Sequence, residues 1–226
     1  MNKLIPAAIV ASLASMSGAV LAGAATFSGA INDGINLSIV STDGPAADNA
    51  TVLDTTLKVP GSKKDLLIGV SIESGAYTET VVKGKNGGTD VASAEGSVKI
   101  TVLLDGNAVA PGTVTFNHRK QELEATLGGV IQECQADEEG VINVAEDCIV
   151  SDEMIRLLLE TTSANHFNFI APDVGPGDHT IEVVADVSAA ASSGNGSAEG
   201  SAVINIGSLS VEVVRSANTE DGIVIE

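Results

Sequence analysis

The chain has 226 residues, 11 of them basic and 30 acidic, for a formal net charge of −19 at pH 7. A field of that sign repels phosphate backbones and anionic lipid, which argues against nucleic acid and membrane surfaces as partners. With no Trp, one Tyr and four Phe, the chain has few of the flat amphipathic faces on which sugars stack, and its core has to be built from Val, Ile, Leu and Ala.

Met1-Asn2-Lys3 is a short, positively charged start. The stretch from Leu4 to Val20 is apolar or small without an acid, and Ala22-Gly23-Ala24 closes it with the small-x-small pattern that fits a signal peptidase cleft. Residues 1–24 therefore read as a secretory signal peptide cut after Ala24. Pro6, Ser12, Ser15, Ser17 and Gly18 break the apolar run, which barely reaches the roughly 18 to 20 residues of a spanning helix. The expected location is secreted or periplasmic, with no membrane insertion after cleavage.

Residues 25–62 read as an N-terminal strand arm and loop. Phe27, Ile31, Ile35, Leu37 and Ile39 alternate with small and polar residues ahead of the Gly44-Pro45 break. Such an arm can complete its own sheet or pair with the open edge of a neighbour.

Residues 63–216 carry the period-two rhythm of strands covered on one face. Leu66, Ile68, Val70 and Ile72 form one alternating set, and Val98, Ile100, Val102 and Leu104 a second. Ile181, Val183, Ala185 and Val187 form a third, and Leu209, Val211 and Val213 a fourth. Two hairpins echo each other. Gly84-Lys85-Asn86-Gly87-Gly88 is followed by Ser93-Ala94-Glu95-Gly96-Ser97, and Ser192-Ser193-Gly194-Asn195-Gly196 by Ser197-Ala198-Glu199-Gly200-Ser201. Small residues at such positions allow close strand approach. Glu95 and Glu199 are equivalent acids of the two hairpins.

His118, within Phe116-Asn117-His118-Arg119-Lys120, reads as an exposed residue where a strand enters a polar loop. The functional alternative is a general base paired with Glu122 or Glu124. Cys134 and Cys148 stand alone and are expected to form a disulfide in an oxidising compartment. Between them Asp137, Glu139, Asn143, Glu146 and Asp147 supply hard oxygen donors of the type calcium takes, with Glu138 beside them and Gly140 permitting a tight bend. Calcium is the candidate cofactor, although the Asp-x-Asp-x-Asp-Gly order of the helix-loop-helix calcium site is missing. Ser151-Asp152-Glu153 followed by Met154, Ile155, Leu158 and Leu159 predicts one short helix over 152–162, with a buried strand as the competing reading of the same apolar run. His166 reads as the start of a strand whose Phe167 and Phe169 face the core.

Pro176-Gly177-Asp178-His179-Thr180-Ile181-Glu182-Val183 resembles the Pro-Gly-x-Tyr-Thr-x-x-Val opening of the penultimate strand in many secreted immunoglobulin-like sandwiches. In that family the Tyr hydroxyl bonds back to the backbone at the sheet corner. His179 stands in its place here. The resemblance covers about ten residues and implies a fold class and no activity.

The chain has no Gly-x-Ser-x-Gly elbow, no His-Glu-x-x-His, no phosphate-binding glycine loop ending in Gly-Lys-Ser/Thr and no spaced Cys or His pairs. The expected fold is all-β, an antiparallel sandwich of immunoglobulin-like or jelly-roll type, closed by an acidic C-terminal tail at 217–226. The expected function is a secreted, non-catalytic structural or binding component of the periplasm, envelope or extracellular matrix. Its expected partners are further copies of itself or an extracellular protein or glycan. The alternatives are a self-assembling filament or layer subunit, and a secreted hydrolase working with paired carboxylates.

Overall fold

The computed structural model describes residues 26–214; the proposed leader and the acidic tail lie outside the described residues. The strands, in chain order, are β1 (Phe27–Asn32), β2 (Leu37–Ser41), β3 (Gly44–Val59), β4 (Lys64–Gly84), β5 (Gly88–Leu104), β6 (Asn107–Ala108), β7 (Val114–Leu127) and β8 (Val130–Cys134). A short helix α1 (Val144–Asp147) precedes β9 (Cys148–Ser151), β10 (Glu153–Val174), β11 (Gly177–Ser193) and β12 (Ser197–Val214). One sheet runs β1-β12-β4-β10, with β2 also on β12; the other runs β3-β11-β5 with β6 and β7 both on β5. All of these pairings are antiparallel. The two sheets face each other as a β-sandwich.

The alternating sets explain the packing. Leu66, Ile68, Val70 and Ile72 of β4 meet Val98, Ile100 and Val102 of β5 and Ile181, Val183, Ala185 and Val187 of β11 in one buried cluster. The pleat sends every second side chain to the same face, so each apolar set arrives at the core without interruption. The N-terminal stretch belongs to this architecture: β1 and β2 pair with the chain's own β12, and β3 pairs with β11. The arm therefore completes its own sheets.

The repeated Ser-Ala-Glu-Gly-Ser segments lie against each other across the sandwich. A side chain on Gly96 would collide with the Ser201 carbonyl, and one on Gly200 with the backbone of Glu95. Glycine is required at both because the two backbones touch. Asp90 fastens the adjacent hairpin tips, its carboxylate accepting 2.8 Å bonds from Lys83 N–H and Asn195 N–H.

The helix expected over 152–162 is not formed. That stretch opens β10, which pairs with β4 in unbroken register from Glu153↔Gly84 to Ala171↔Leu66. A 19-residue ladder overrides the helical spacing of four apolar residues, since propensity is a weak prior against tertiary pairing. The one helix among the described residues is α1, capped by Asn143, whose side chain accepts from Ala145 N–H.

Candidate functional site

β10 is an edge strand, and its two ends differ. Near its C-terminal end Phe169 is fully buried, its ring 5.3 Å from that of Phe167 in an edge-to-face arrangement. There Ile170 N–H donates a 3.1 Å bond to Ala110 O, so a neighbouring segment covers the strand. Near its N-terminal end the cover is missing. Ile155, Leu157 and Leu159 pair in register with Val82, Thr80 and Thr78, whose side chains are buried between the sheets. They face the same interior, yet Leu157 is 39% exposed and its two neighbours are slightly more so. The reason is that β7 packs mainly beneath β4 and meets β10 only along its inner margin. Met154 and Leu158 project from the opposite face and are exposed as well.

A polar seam lines the interior beside this overhang. Gln121 of β7, buried, donates to Thr80 Oγ1 at 2.6 Å and to Leu157 O at 3.0 Å, and accepts from Thr78 Oγ1 at 3.1 Å. Arg119 donates to Thr161 Oγ1, and Asn165 Nδ2 donates to Phe116 O at 2.9 Å. These bonds tie β10 to β7 from below and leave its outer edge free.

On the outer face, Arg156 makes a bidentate pair with Glu79 at 2.8 and 2.7 Å, and Tyr77 donates to the same carboxylate at 2.5 Å. The Arg156 bonds, then the Tyr77 hydroxyl, hold the Glu79 carboxyl down at about 2. At the far end of the sandwich His179 lies between Asp105 Oδ2, 2.6 Å from Nδ1, and Gly175 O, 3.0 Å from Nε2. The bond to Asp105 raises the imidazole pKa and lowers that of the carboxyl. His179 thus bonds back to a carbonyl four residues upstream. Burial opposes the ionisation of Asp90, yet its backbone donors outweigh that and hold its pKa low. Each carboxyl in this set is pushed down, whereas a general acid working near neutrality needs to be pushed up.

The sequence-predicted residues scatter. Cys134 and Cys148 are joined as a disulfide at the base of a separate two-stranded sheet, β8-β9. In the loop it closes, Asp137 accepts from Val141 N–H and Asp147 from Asn143 N–H, both at 2.7 Å, and Asn143 Nδ2 donates to Glu146 at 3.0 Å. Glu139 is exposed. Asp137, Asn143 and Asp147 hold the loop's own turns, and no cluster of three or more His, Cys, Asp or Glu suited to a metal occurs among the described residues. Glu95 and Glu199 are not brought together, since they lie on the outer faces of opposite sheets, with Glu199 in register with Glu79. His118 sits within β7 and pairs with Glu95 at 3.0 Å, in place of Glu122 or Glu124. His166 lies mid-strand in β10, bonded to Ser71 and Asn168. Phe169 reaches the core fully, and Phe167 only partly.

Sequence reasoning missed the free edge. Its signal was Met154-Ile155 and Leu157-Leu158-Leu159, apolar at consecutive positions where a one-faced strand would alternate. Of the 17 large apolar side chains exposed among the described residues, 11 fall between Val130 and Leu159, which marks this region apart from the rest of the surface. No helix among the described residues is long and apolar enough to cross a membrane.

No protein family and no curated protein matches the chain. Among solved structures, that of infectious bursal disease virus Gx strain overlaps at a TM-score of 0.30 and 13% identity, covering 86% of this chain and 33% of that one. The VP2 subviral particle of infectious bursal disease virus overlaps at 0.17 and 10% identity, covering 84% and 42%. The chain thus spans about a third to two-fifths of the length of these neighbours. At such TM-scores the likeness carries nothing about this chain's role.

Proposed function

We propose that this is a secreted or periplasmic, non-catalytic β-sandwich that serves as a structural component by binding other protein chains through the N-terminal half of β10. The observation that carries this reading is the uncovered edge from Met154 to Leu159, apolar on its inner face and broken on its outer face by Arg156 alone, without the Pro or bulge by which many edge strands are protected. Backbone groups on such an edge supply affinity to any incoming strand, and alternate side chains supply selectivity. The leader-like residues 1–24 and the disulfide support the location.

A photo-crosslinking residue placed at Leu157 in the full-length chain, expressed with its leader, tests this. We expect a covalent protein adduct at Leu157 and none at Lys99, exposed on the outer face of β5. Equal labelling at the two positions would refute the reading.

A further inference from the structure

We propose, resting on the reading of β10 as a contact edge, that its occupant is the same edge of a second copy of this chain, paired antiparallel about a two-fold axis at Leu158. The register and the charges on β10 select this arrangement.

Ile170 N–H points away from β4, toward Ala110 O. The register with β4 is unbroken from Glu153 to Ala171, and successive N–H and C=O groups of a strand point to alternate sides. The outward backbone groups therefore belong to the even-numbered residues Met154, Arg156, Leu158, Glu160 and Thr162. The odd-numbered residues bond inward to β4. In a paired edge, even residues of one copy must oppose even residues of the other for the ladder to close.

That rule leaves few registers, and charge separates them. Centring the axis on Arg156 or on Glu160 sets like charges face to face. Centring it on Leu157 or Leu159 places Arg156 opposite Leu158 or Thr162. Opposing Arg156 to Glu153 would set an even residue against an odd one. Centring on Leu158 places Arg156 opposite Glu160 of the second copy twice, once on each side of the axis. The same register sets Leu157 beside Leu159 of the second copy on the inner face and Leu158 on its own counterpart outside. The strand is thus complementary to itself in apolar contact, in backbone bonding and in charge. Directly opposed charges and apolar pairs are the contacts that stabilise strand pairing. Arg156, already held by Glu79, would bridge a carboxylate on each copy. Joining the two β4-bearing sheets in this way makes one continuous sheet through the dimer. An isologous contact of this kind closes on itself, so it gives dimers and leaves the β1 edge free.

The experiment uses the full mature chain at a salt concentration high enough to screen its net charge. Sedimentation at up to millimolar concentration should show a monomer–dimer equilibrium in the unaltered protein. Leu158→Lys should weaken it about a hundredfold, because two ammonium groups then meet at the axis, while far-UV circular dichroism stays unchanged. A register test stands beside this one: Leu158→Cys should cross-link to itself under mild oxidation, since Cα atoms of a bonded pair lie about 5.5 Å apart, within disulfide reach of about 4.4 to 6.8 Å. Met154→Cys alone should stay unlinked and should link only when mixed with Thr162→Cys. The native cysteines are already joined and do not compete. A protein that remains monomeric throughout, or a Leu158→Cys variant that never links, overturns the inference. So does binding to neutral lipid vesicles that Leu158→Lys abolishes in a monomeric protein. If the Leu157 photo-adduct forms but its mass is not that of two copies, the second-copy inference falls while the contact-edge reading stands.

Discussion

The two ends of β10 belong to one strand, pair with one neighbour and carry side chains of similar apolarity, yet Phe169 is completely buried and Leu157 is 39% exposed. What differs is the opposite sheet. At the Phe169 end the segment around Ala110 reaches over and bonds to Ile170. At the Leu157 end β7 lies under β4 and offers β10 only the side chains of Gln121 and Arg119. The interior changes with the cover: aliphatic beside Leu66 to Ile72, and hydroxyl- and amide-bearing beside Ser74, Thr78 and Thr80. A strand's burial is thus decided by what crosses it, and similar apolar residues are core at one end and exposed surface at the other.

The largest expected effect contrasts these ends directly. Phe169→Ala should lower the unfolding free energy by about 3 to 5 kcal/mol, the loss of a buried ring plus its cavity. Leu157→Ala, measured at a concentration where the protein is monomeric, should cost under about 2 kcal/mol, because much of that side chain is already in water. Urea titration of both variants checks this. Similar losses would show that the Leu157 end is covered in solution.

The contrast also separates what was legible in the sequence from what was not. The sandwich could be read because Leu66 to Ile72, Val98 to Leu104 and Ile181 to Val187 alternate cleanly, and alternation reports a half-buried pleat. The disulfide followed from two cysteines standing alone. The two Ser-Ala-Glu-Gly-Ser segments pointed to close backbone approach, and Gly96 and Gly200 meet the opposite backbone as small residues there imply. The strand at Glu153 to Thr162 was hidden because an apolar run interrupted only at Arg156 does not alternate, so a helix of four matching positions competed with a strand. Its edge position was hidden for a deeper reason: which strand lies outermost is a property of non-local pairing, and nothing within the run specifies it. Phe167 and Phe169 were assigned together to the core, yet cover fades between them along the strand.

The polar seam gives the next effect. Gln121→Ala removes the bonds to Thr78, Thr80 and Leu157 O together. Leaving the buried hydroxyls of Thr78 and Thr80 without this partner should cost about 1 to 3 kcal/mol. The loss should be concentrated in amide protection of β10 residues 155–161, with Phe167 to Ala171 little changed on the hydrogen-exchange time scale. Uniform loss along β10 would mean that the two ends do not open separately.

Acid should act more weakly on the same end. The folded-state pKa of Glu79 lies at about 2, below its ordinary 4.5, held there by Arg156 and then Tyr77. A depressed carboxyl contributes stability that is present above its unfolded pKa and is lost as pH falls through the folded value. Exchange at Arg156 to Glu160 should therefore accelerate a few-fold between about pH 4.5 and 2. Asp90 and Asp105 are also depressed and add to the global acid limb, so the control is Arg156→Gln, which should flatten the response at Arg156 to Glu160 alone.

The smallest effect lies at the closed end and runs in the opposite direction with pH. His179 faces an acceptor at each ring nitrogen, Asp105 Oδ2 at 2.6 Å and Gly175 O at 3.0 Å. Only the imidazolium can donate at both. The Asp105 bond accordingly raises its pKa above 6.5, with burial opposing and the Gly175 carbonyl adding to the rise. A group whose pKa is raised on folding contributes stability that is fully present below its unfolded pKa and is lost as pH rises through the folded value. Melting temperature should therefore drop by a degree or two at the alkaline side of pH 6.5, with exchange quickening at Asp105 and at Gly175 to Thr180 while Arg156 to Glu160 stay unchanged. His179→Tyr makes the test decisive, since a phenol can keep the bond to Gly175 O without titrating in that range. The Tyr variant should hold a flat melting temperature across the window, and a slope surviving in it would remove His179 as the cause.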